Sequence, residues 1–367
     1  MNLIERYLGK VLISHVLVVI FVLLIILGFS EFMIQMGKMT DEYTLSKGVL
    51  YTLLKLPVFG YEMFPIAVLI GALLGLGGLA NHAELTVLRV TGWSIKRIFW
   101  GVMKSVFLLW IVVAVIGETF APKAESYAKK IRGEALNQNF SIGSKSSLWM
   151  KEDNRFIHIG QTISATKLLD VQIYSLKNGE IISSLQAESA EFKNEKWQLK
   201  NIQSNQLVWE TKPLKTAEME SWQALMFQTK NIEKLAVNLP VDPNLLENLN
   251  LETRYMGIVD LYQYIQFLEK NELDSESYQL AFWRKIAMPL VIFGMIALVF
   301  PLIFGSQRQV SIGQRVFIGI IVGMGFHLLN QIFGNLSVVY NLSPIMGAFL
   351  PSIILITTAL FLMKKLR

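Results

Sequence analysis

Between residues 11 and 36 the chain carries one formal charge, Glu31, in an otherwise apolar run. A bilayer core is crossed by ~20 apolar residues in a helix, and in lipid every backbone N–H and C=O must be satisfied within the segment or a closed barrel. Six such runs can be read along the chain: 11–36, 49–80, 98–120, 286–304, 316–333 and 344–363. The second is long enough to tilt or protrude, with Pro57 and Pro65 as kink sites. A hydrophobic content of 53%, only 17% charged residues and a mean hydropathy of +0.43 agree with a membrane protein. The run 11–29 is of spanning length and lacks a short apolar region with a small-residue cleavage site, so no cleaved signal is expected. The absence of cysteine excludes a disulfide framework, a thiol nucleophile and a cysteine-based zinc site, but decides no compartment. The net charge of +6 suits anionic lipid and follows equally from basic cytoplasmic loops.

Orientation follows from Lys and Arg in the short loops. Arg6, Lys10, Arg89, Lys96, Arg97, Arg308, Arg315, Lys364, Lys365 and Arg367 fall on one side. The short loops of the other side hold Lys38 and Lys47, offset by Asp41 and Glu42. Both termini and the 81–97 loop are therefore expected in the cytoplasm, with the long insert between spans three and four outside. In that insert the period changes. "NRFIHIGQ", "VQIYSL" and "AEFKNEKWQLKNIQ" alternate apolar with polar residues, and turn pairs separate them at Asp153-Asn154, Asn178-Gly179 and Asn194-Glu195. This predicts an antiparallel all-β sandwich or open roll. Trp149, Trp197, Trp209 and Trp222 are expected to fill its interior, with an inner face left open for an apolar ligand as the second reading. The following stretch, 257–272, places apolar residues at 258, 261, 265 and 268, an amphipathic helix leading back to the membrane.

"NHAELTVLRVTGWSIKR" (81–97) reads as a short helix with ends. Asn81 is placed to cap it, with Glu84 completing a capping box. Gly92 is placed as a left-handed stop, and Ser94 as the cap of the third span. Leu85 and Leu88 share one face; Ala83, Val87 and Val90 share the next. Two readings stand: a tidy intracellular turn, or a coupling helix seated in a cytoplasmic motor, with Glu84 and Arg89 giving orientation. The motor would be a separate chain, because no G-x-x-x-x-G-K-[ST] is present and "GKMT" at Gly37 lacks both the upstream glycine and the hydroxyl after Lys38.

Gly71, Gly75 and Gly78, and Gly319 and Gly323, have the spacing of close helix contacts. Glu31, Lys38, Lys55 and Glu62 flank the outer ends of spans one and two, and Glu118, Lys123, Lys129, Lys130 and Arg132 follow span three. A charge at membrane depth faces water, a partner or a polar ligand. Lys129 and Arg132, three apart on one helical face, can meet a phosphate, headgroup snorkelling being the plainer explanation. His15 and His327 are each expected to be satisfied packing residues. The four histidines, His15, His82, His158 and His327, fall on separate elements, so no metal, no cofactor and no enzymatic triad is expected. Beyond the basic balance, nothing favours nucleic acid.

"IGALLGLGGLANHAELTVLRVTGWS" (70–94), "ERYLGK" (5–10), "GEALNQ" (133–138), "YQLAFWRKIAMPL" (278–290) and "NQIFGNLSVVYNLSPIMGAFLPS" (330–352) carry a resemblance over nearly the whole chain. They resemble the YjgP/YjgQ permease family, the LptF and LptG subunits of the lipopolysaccharide exporter, with the LptG branch the nearer. The resemblance implies an α+β membrane protein of six transmembrane helices with a periplasmic antiparallel β-jellyroll between spans three and four. The implied organisation is spans one to three over 1–121 with the coupling helix at 81–92, the jellyroll and its connecting helix over 122–277, and spans four to six over 278–367.

By the same resemblance, the partners are an LptF paralogue, an LptB ATPase dimer and the LptC transmembrane helix, in a machine that moves lipopolysaccharide from the inner membrane toward the outer membrane. The coupling residues would be Glu84, Leu85, Leu88 and Arg89. Lipopolysaccharide phosphates would meet Lys38, Lys55, Lys129 and Arg132, while Phe29, Met33, Phe64 and Phe333 would line an acyl-chain cavity. Glu31 departs from the pattern: relatives can carry a basic, ligand-contacting residue there, and an acid repels phosphate unless it is paired. Two alternatives are a permease for another amphiphile, such as a lipoprotein or glycolipid, and a non-transporting membrane scaffold.

Overall fold

The computed structural model describes residues 2–136, 148–152, 154–164, 166–177, 180–213, 221–241, 243, 246, 253–271, 273–304, 311–340 and 342–364. They fall into two compact units. The helical unit comprises 1–132, 253–265 and 274–367; the second comprises 133–252 and 266–273.

The helical unit begins with α1 (Leu3–Met36) and α2 (Leu45–Asn81), a short α3 (Glu84–Val90), and α4 (Ile95–Val115). A π turn (Ile116–Phe120) runs α4 into α5 (Ala121–Ala135) without a break. After the strands come α6 (Ile258–Lys270), α7 (Glu276–Phe304), α8 (Ile312–Val339) and α9 (Pro344–Lys364). Among the described residues six helices, counting α4 to α5 as one, are long and apolar enough to cross a membrane, and each contains one of the six runs read from the sequence. Pro57 and Pro65 lie inside α2, which stays helical past both.

The core gathers around α2 and α7. Leu12 and Val16 of α1, Phe64, Leu69 and Leu76 of α2, Ile98 and Val102 of α4, and Met295 and Phe300 of α7 are all buried. Phe99 meets Phe293 and Phe300 edge-on, at ring-centre distances of 5.4 and 5.3 Å. Helices α1 and α8 behave differently: Phe21, Ile25 and Phe29 on one, and Phe317, Met324 and Leu328 on the other, are exposed.

The closest helix approach is at Gly71, where a Cβ would lie 2.7 Å from the Cα of Val16. The obstacle is backbone, which cannot rotate away. Gly71→Ala is therefore expected to force α1 from α2 and cost about 1–3 kcal/mol, the usual range for overpacking. A thermal unfolding midpoint equal to the parent's in the purified full chain would contradict that contact. Gly75, Gly319 and Gly323 also meet side chains of neighbouring helices, on His15, Ile70 and Ile66. Gly78 departs from the expectation and meets nothing within 4 Å; the tight position is its neighbour Gly77, against the Arg315 guanidinium. His15 is satisfied as expected, its Nδ1 2.7 Å from the carbonyl oxygen of Val11.

The second unit holds a six-stranded antiparallel sheet: β1 (Leu148–Glu152), β2 (Arg155–Ser164), β3 (Lys167–Lys177), β4 (Glu180–Lys193), β5 (Lys196–Pro213) and β6 (Ser221–Val237). The described strands pair strictly in chain order, a meander without the crossovers of a double Greek key. The β4–β5 hairpin turns on Asn194 and Glu195, both at positive φ (52° and 61°). Such a turn matches the twist of the flanking strands.

Ile157, Leu168, Val171, Ala190 and Leu199 line a packed face, closed by Leu239 and Val241. For the described residues this is the packed-core reading. Trp197 fills it, 1% exposed, its indole N–H donating to the Val241 carbonyl at 2.9 Å. Trp149 does not. It is 46% exposed on β1 and lies against His158 and Tyr174 on the outer face, because strand alternation turns Met150 inward instead. The side chains of Trp209 and Trp222 lie outside those described.

Candidate functional site

Two polar assemblies mark opposite ends of α1. Tyr7 lies in its second turn and Glu31 near its last. The 24 intervening steps at 1.5 Å each place them about 36 Å apart, slightly more than a bilayer core.

At the Tyr7 end sits α3. The expected cap is corrected here: Asn81 finishes α2, and its side-chain oxygen accepts from Arg315 Nη2 at 2.6 Å. The residue before α3 is Ala83, in the left-handed region at φ 60°. Asn81 is two residues short of the cap position, which Ala83 occupies, so no capping box forms. The other end follows expectation: Gly92 has φ +94°, and the Ser94 hydroxyl accepts from the Arg97 amide at 3.3 Å to start α4.

The faces of α3 also correct the expected docking set. Leu85 is 2% exposed and belongs to the helical core, with Leu88 packed beside it. Their burial anchors α3 to its own bundle and removes Leu85 from any outward surface. Val87 and Val90 point out, 59% and 83% exposed. Glu84 is partly exposed and accepts from the Tyr7 hydroxyl at 2.7 Å. Arg89, also exposed, lies 6.0 Å from the Phe304 ring centre. Together with Tyr7, Arg6, Lys10, His82 and Val87, Glu84 lines a groove of about 820 Å³. A small helix fixed by one apolar face and one hydrogen bond thus presents two valines and a carboxylate outward.

At the other end a polar network joins α1, α2 and α5. Glu31 answers its own question: Lys55 Nζ lies 3.3 Å from its carboxylate, both side chains nearly buried. Gln35 donates to Glu31 at 2.6 Å and accepts from the Tyr43 hydroxyl at 3.1 Å. Burial pushes the Tyr43 phenol above its ordinary pKa, which keeps it a donor. Lys55 lies over the Tyr51 ring. Arg132 packs on the same ring and donates to the Tyr51 hydroxyl at 3.2 Å. Lys129 stands 3.8 Å from Glu125 and over Tyr255, and Lys38 is exposed just beyond α1. Lys55 and Arg132 thus meet through Tyr51, which the sequence reading did not single out. Lys55 has its charge balanced by Glu31.

Of the four expected cavity residues, Phe29 and Met33 lie on the exposed face of α1 at 65% and 52%, and Phe333 on α8 is half-buried. Phe64 is a correction: it is 0% exposed inside the helical core, because this part of α2 is enclosed by its neighbours. It lines no open chamber.

A third assembly centres on Glu118 in the π turn. Its carboxylate accepts from Lys285 Nζ of α7 at 2.7 Å, the Tyr61 hydroxyl of α2 at 2.8 Å and the Ile258 amide opening α6 at 2.7 Å. The extra residue of a π turn re-aims a side chain, and the preceding Gly117 admits the Tyr61 ring where a Cβ would collide with it. Among the described residues no group of three or more acidic or histidine side chains could hold a metal ion.

The comparisons agree in one direction. The family described as lipopolysaccharide export system permease LptF/LptG matches residues 6–365. The chain is 31% identical, over 99% of its own length and 98% of the relative's, to the lipopolysaccharide export system permease protein LptG of Escherichia coli K12. It is 30% identical to LptG of Haemophilus influenzae, over 100% of this chain and 99% of that one.

Proposed function

Since the chain belongs to the LptF/LptG family of lipopolysaccharide export permeases, we propose that it is an inner-membrane permease subunit that draws lipopolysaccharide from the bilayer and hands it toward a periplasmic bridge. The observation that carries this reading is the pairing of two devices at opposite ends of α1: an outward valine-and-carboxylate peg and a cluster of cations. In this reading α3 faces the cytoplasm with both termini, and the strand unit faces the periplasm, which the distribution of Lys and Arg supports.

Each methylene withdrawn from lipid costs ~0.8 kcal/mol unless an apolar wall replaces the bilayer. The exposed faces of α1 and α8 supply such walls, with Phe29 and Met33 on the first, and an LptF paralogue would close the chamber. LptC would contribute a helix beside α1. Lys38, Lys129 and Arg132 hold phosphate oxygens by charge-assisted hydrogen bonds. Lys55 contributes through its pair with Glu31, which removes the repulsion a lone acid would cause. Nucleotide closure in an LptB dimer pushes on α3 and narrows the chamber. The work is mechanical, so this chain needs no catalytic residue, and ATP is hydrolysed by the partner.

The test is release of lipopolysaccharide from proteoliposomes to a periplasmic acceptor. Lys129→Ala with Arg132→Ala is expected to lower the initial rate more than tenfold, since even one hydrogen bond to a charged group contributes ~1.5–3 kcal/mol. Release at the parental rate would remove these residues from the headgroup site. Equal transport of an unphosphorylated glycolipid would favour the broader amphiphile permease.

A further inference from the structure

Arg284 sits in the third turn of α7, and no carboxylate pairs with it among the described residues. Its Nη2 donates to the backbone oxygen of Asn330 at 2.5 Å. Its Nε is buried without a hydrogen-bond partner. The guanidinium presses on Gly334 of α8, where any Cβ would collide with it. A carbonyl accepts one proton of five and leaves the positive charge intact. An uncompensated cation at membrane depth is costly and faces water or an anion. Its neighbour shows the contrast: Lys285, one residue on, is matched by Glu118 at 2.7 Å.

Arg284 lines a cleft of about 490 Å³ between α2, α7, α8 and α9. The rim is polar. His327 and Gln331, exposed and four apart on α8, bond to each other at 3.2 Å. Deeper in, Ile66, Met288 and Phe326 make the cleft apolar. Arg284 lies two residues before the apolar run 286–304 and Gln331 two from the end of the run 316–333, which places both near the boundary of headgroups and acyl chains in one leaflet. An anionic oxygen at Arg284 with the start of its chains against Ile66, Met288 and Phe326 satisfies both halves of the site. The volume accommodates a small headgroup and the start of its chains, and is at the modest end for a ligand pocket. None of Lys38, Lys55, Lys129 and Arg132 lines it; Glu62, Arg254 and Lys285 do, Lys285 being matched by Glu118.

We infer that this cleft binds the phosphate diester of a membrane glycerophospholipid, at a site apart from the cation cluster on α1, α2 and α5. The lipid phosphate supplies an anionic acceptor beside the Asn330 carbonyl that Arg284 already meets, and His327 and Gln331 donate from the rim.

The test is native mass spectrometry of the delipidated full chain, titrated separately with phosphatidylglycerol, inorganic phosphate and lipopolysaccharide. The parent is expected to retain phosphatidylglycerol, and Arg284→Gln to weaken the tightest binding at least tenfold. Arg284→Lys should fall between, since it keeps the charge but not the fork. Because Arg284 also packs on Gly334, the exposed pair His327→Ala with Gln331→Ala is the second probe, expected to weaken binding about threefold with the unfolding midpoint unchanged. Phosphatidylglycerol binding unaffected in these variants overturns the proposal. So does inorganic phosphate bound as tightly, which marks a free-ion site, or full displacement by equimolar lipopolysaccharide, which assigns the cleft to cargo. Since the readout is phospholipid retention, failure of the transport reading would leave it untouched.

Discussion

Glu118→Ala is expected to destabilise the helical unit by about 3–5 kcal/mol, the range for breaking one side of a buried ion pair. Three donors converge on that carboxylate from three helices: Lys285 at 2.7 Å, Tyr61 at 2.8 Å and the Ile258 amide at 2.7 Å. The Lys285 side chain is only 8% exposed, and water reaches it poorly once the acid is gone. Leaving it charged and alone is the main cost; the stranded hydroxyl and amide add smaller ones. Glu118→Gln keeps the shape and one acceptor, and should recover a minor part. Removing both charges with Glu118→Ala and Lys285→Met is expected to be far milder than the single change, because apolar replacement of a buried pair is often close to neutral. Thermal unfolding of the parent, Glu118→Ala, Lys285→Met and the double variant gives the cycle. A single substitution within 0.5 kcal/mol of the parent would show the carboxylate to be hydrated and the convergence unimportant.

Glu118 also shows where the sequence stops being informative. It could be read as a charge near the outer end of span three, since depth follows from the length of an apolar run. Its partners could not be read, because Tyr61, Ile258 and Lys285 are far apart in the chain and are brought together by packing. The π turn that aims it leaves no compositional mark. The membrane helices were legible because lipid imposes length and hydropathy on each span independently of the others. The hairpin at Asn194 and Glu195 was legible for a similar local reason. Asn81 failed as a cap because α2 runs on through it and α3 opens after Ala83, while its side chain meets Arg315 of α8. Leu85 and Val87 were seen to lie on neighbouring faces of α3, but a seven-residue helix does not say which face its own protein covers. Phe64 failed likewise: an apolar residue in a span may face lipid, a chamber or another helix, and hydropathy is the same for all three. Tyr51 went unremarked because its role is to join Arg132 and Lys55, which only the fold places on one ring.

If α3 is the proposed coupling peg, Glu84→Arg is expected to abolish capture of an LptB ATPase and, with it, energised release of lipopolysaccharide. The carboxylate opens α3 next to Val87 and Val90, whose exposure of 59% and 83% shows that this chain does not use them internally. An acid flanked by exposed valines on a rigidly seated helix fits a partner groove with an apolar floor and a cationic rim. Reversing the charge loses the attraction and adds repulsion, and a central contact of this kind costs at least ~2 kcal/mol, about thirtyfold in affinity. Because the Tyr7 hydroxyl also bonds Glu84 at 2.7 Å, a loss could instead reflect a loosened α3. Two further substitutions separate these causes. Tyr7→Phe removes the internal hydrogen bond, worth ~1 kcal/mol, and keeps the carboxylate, so capture should weaken only about fivefold. Val90→Asp leaves the seating of α3 alone, because Val90 is 83% exposed among the described residues, yet puts an unpaired charge against an apolar floor. It should eliminate capture at an unchanged unfolding midpoint. Retention of the ATPase by both Glu84→Arg and Val90→Asp would mean that force enters the subunit elsewhere, and α3 would then be a structural turn held by Leu85.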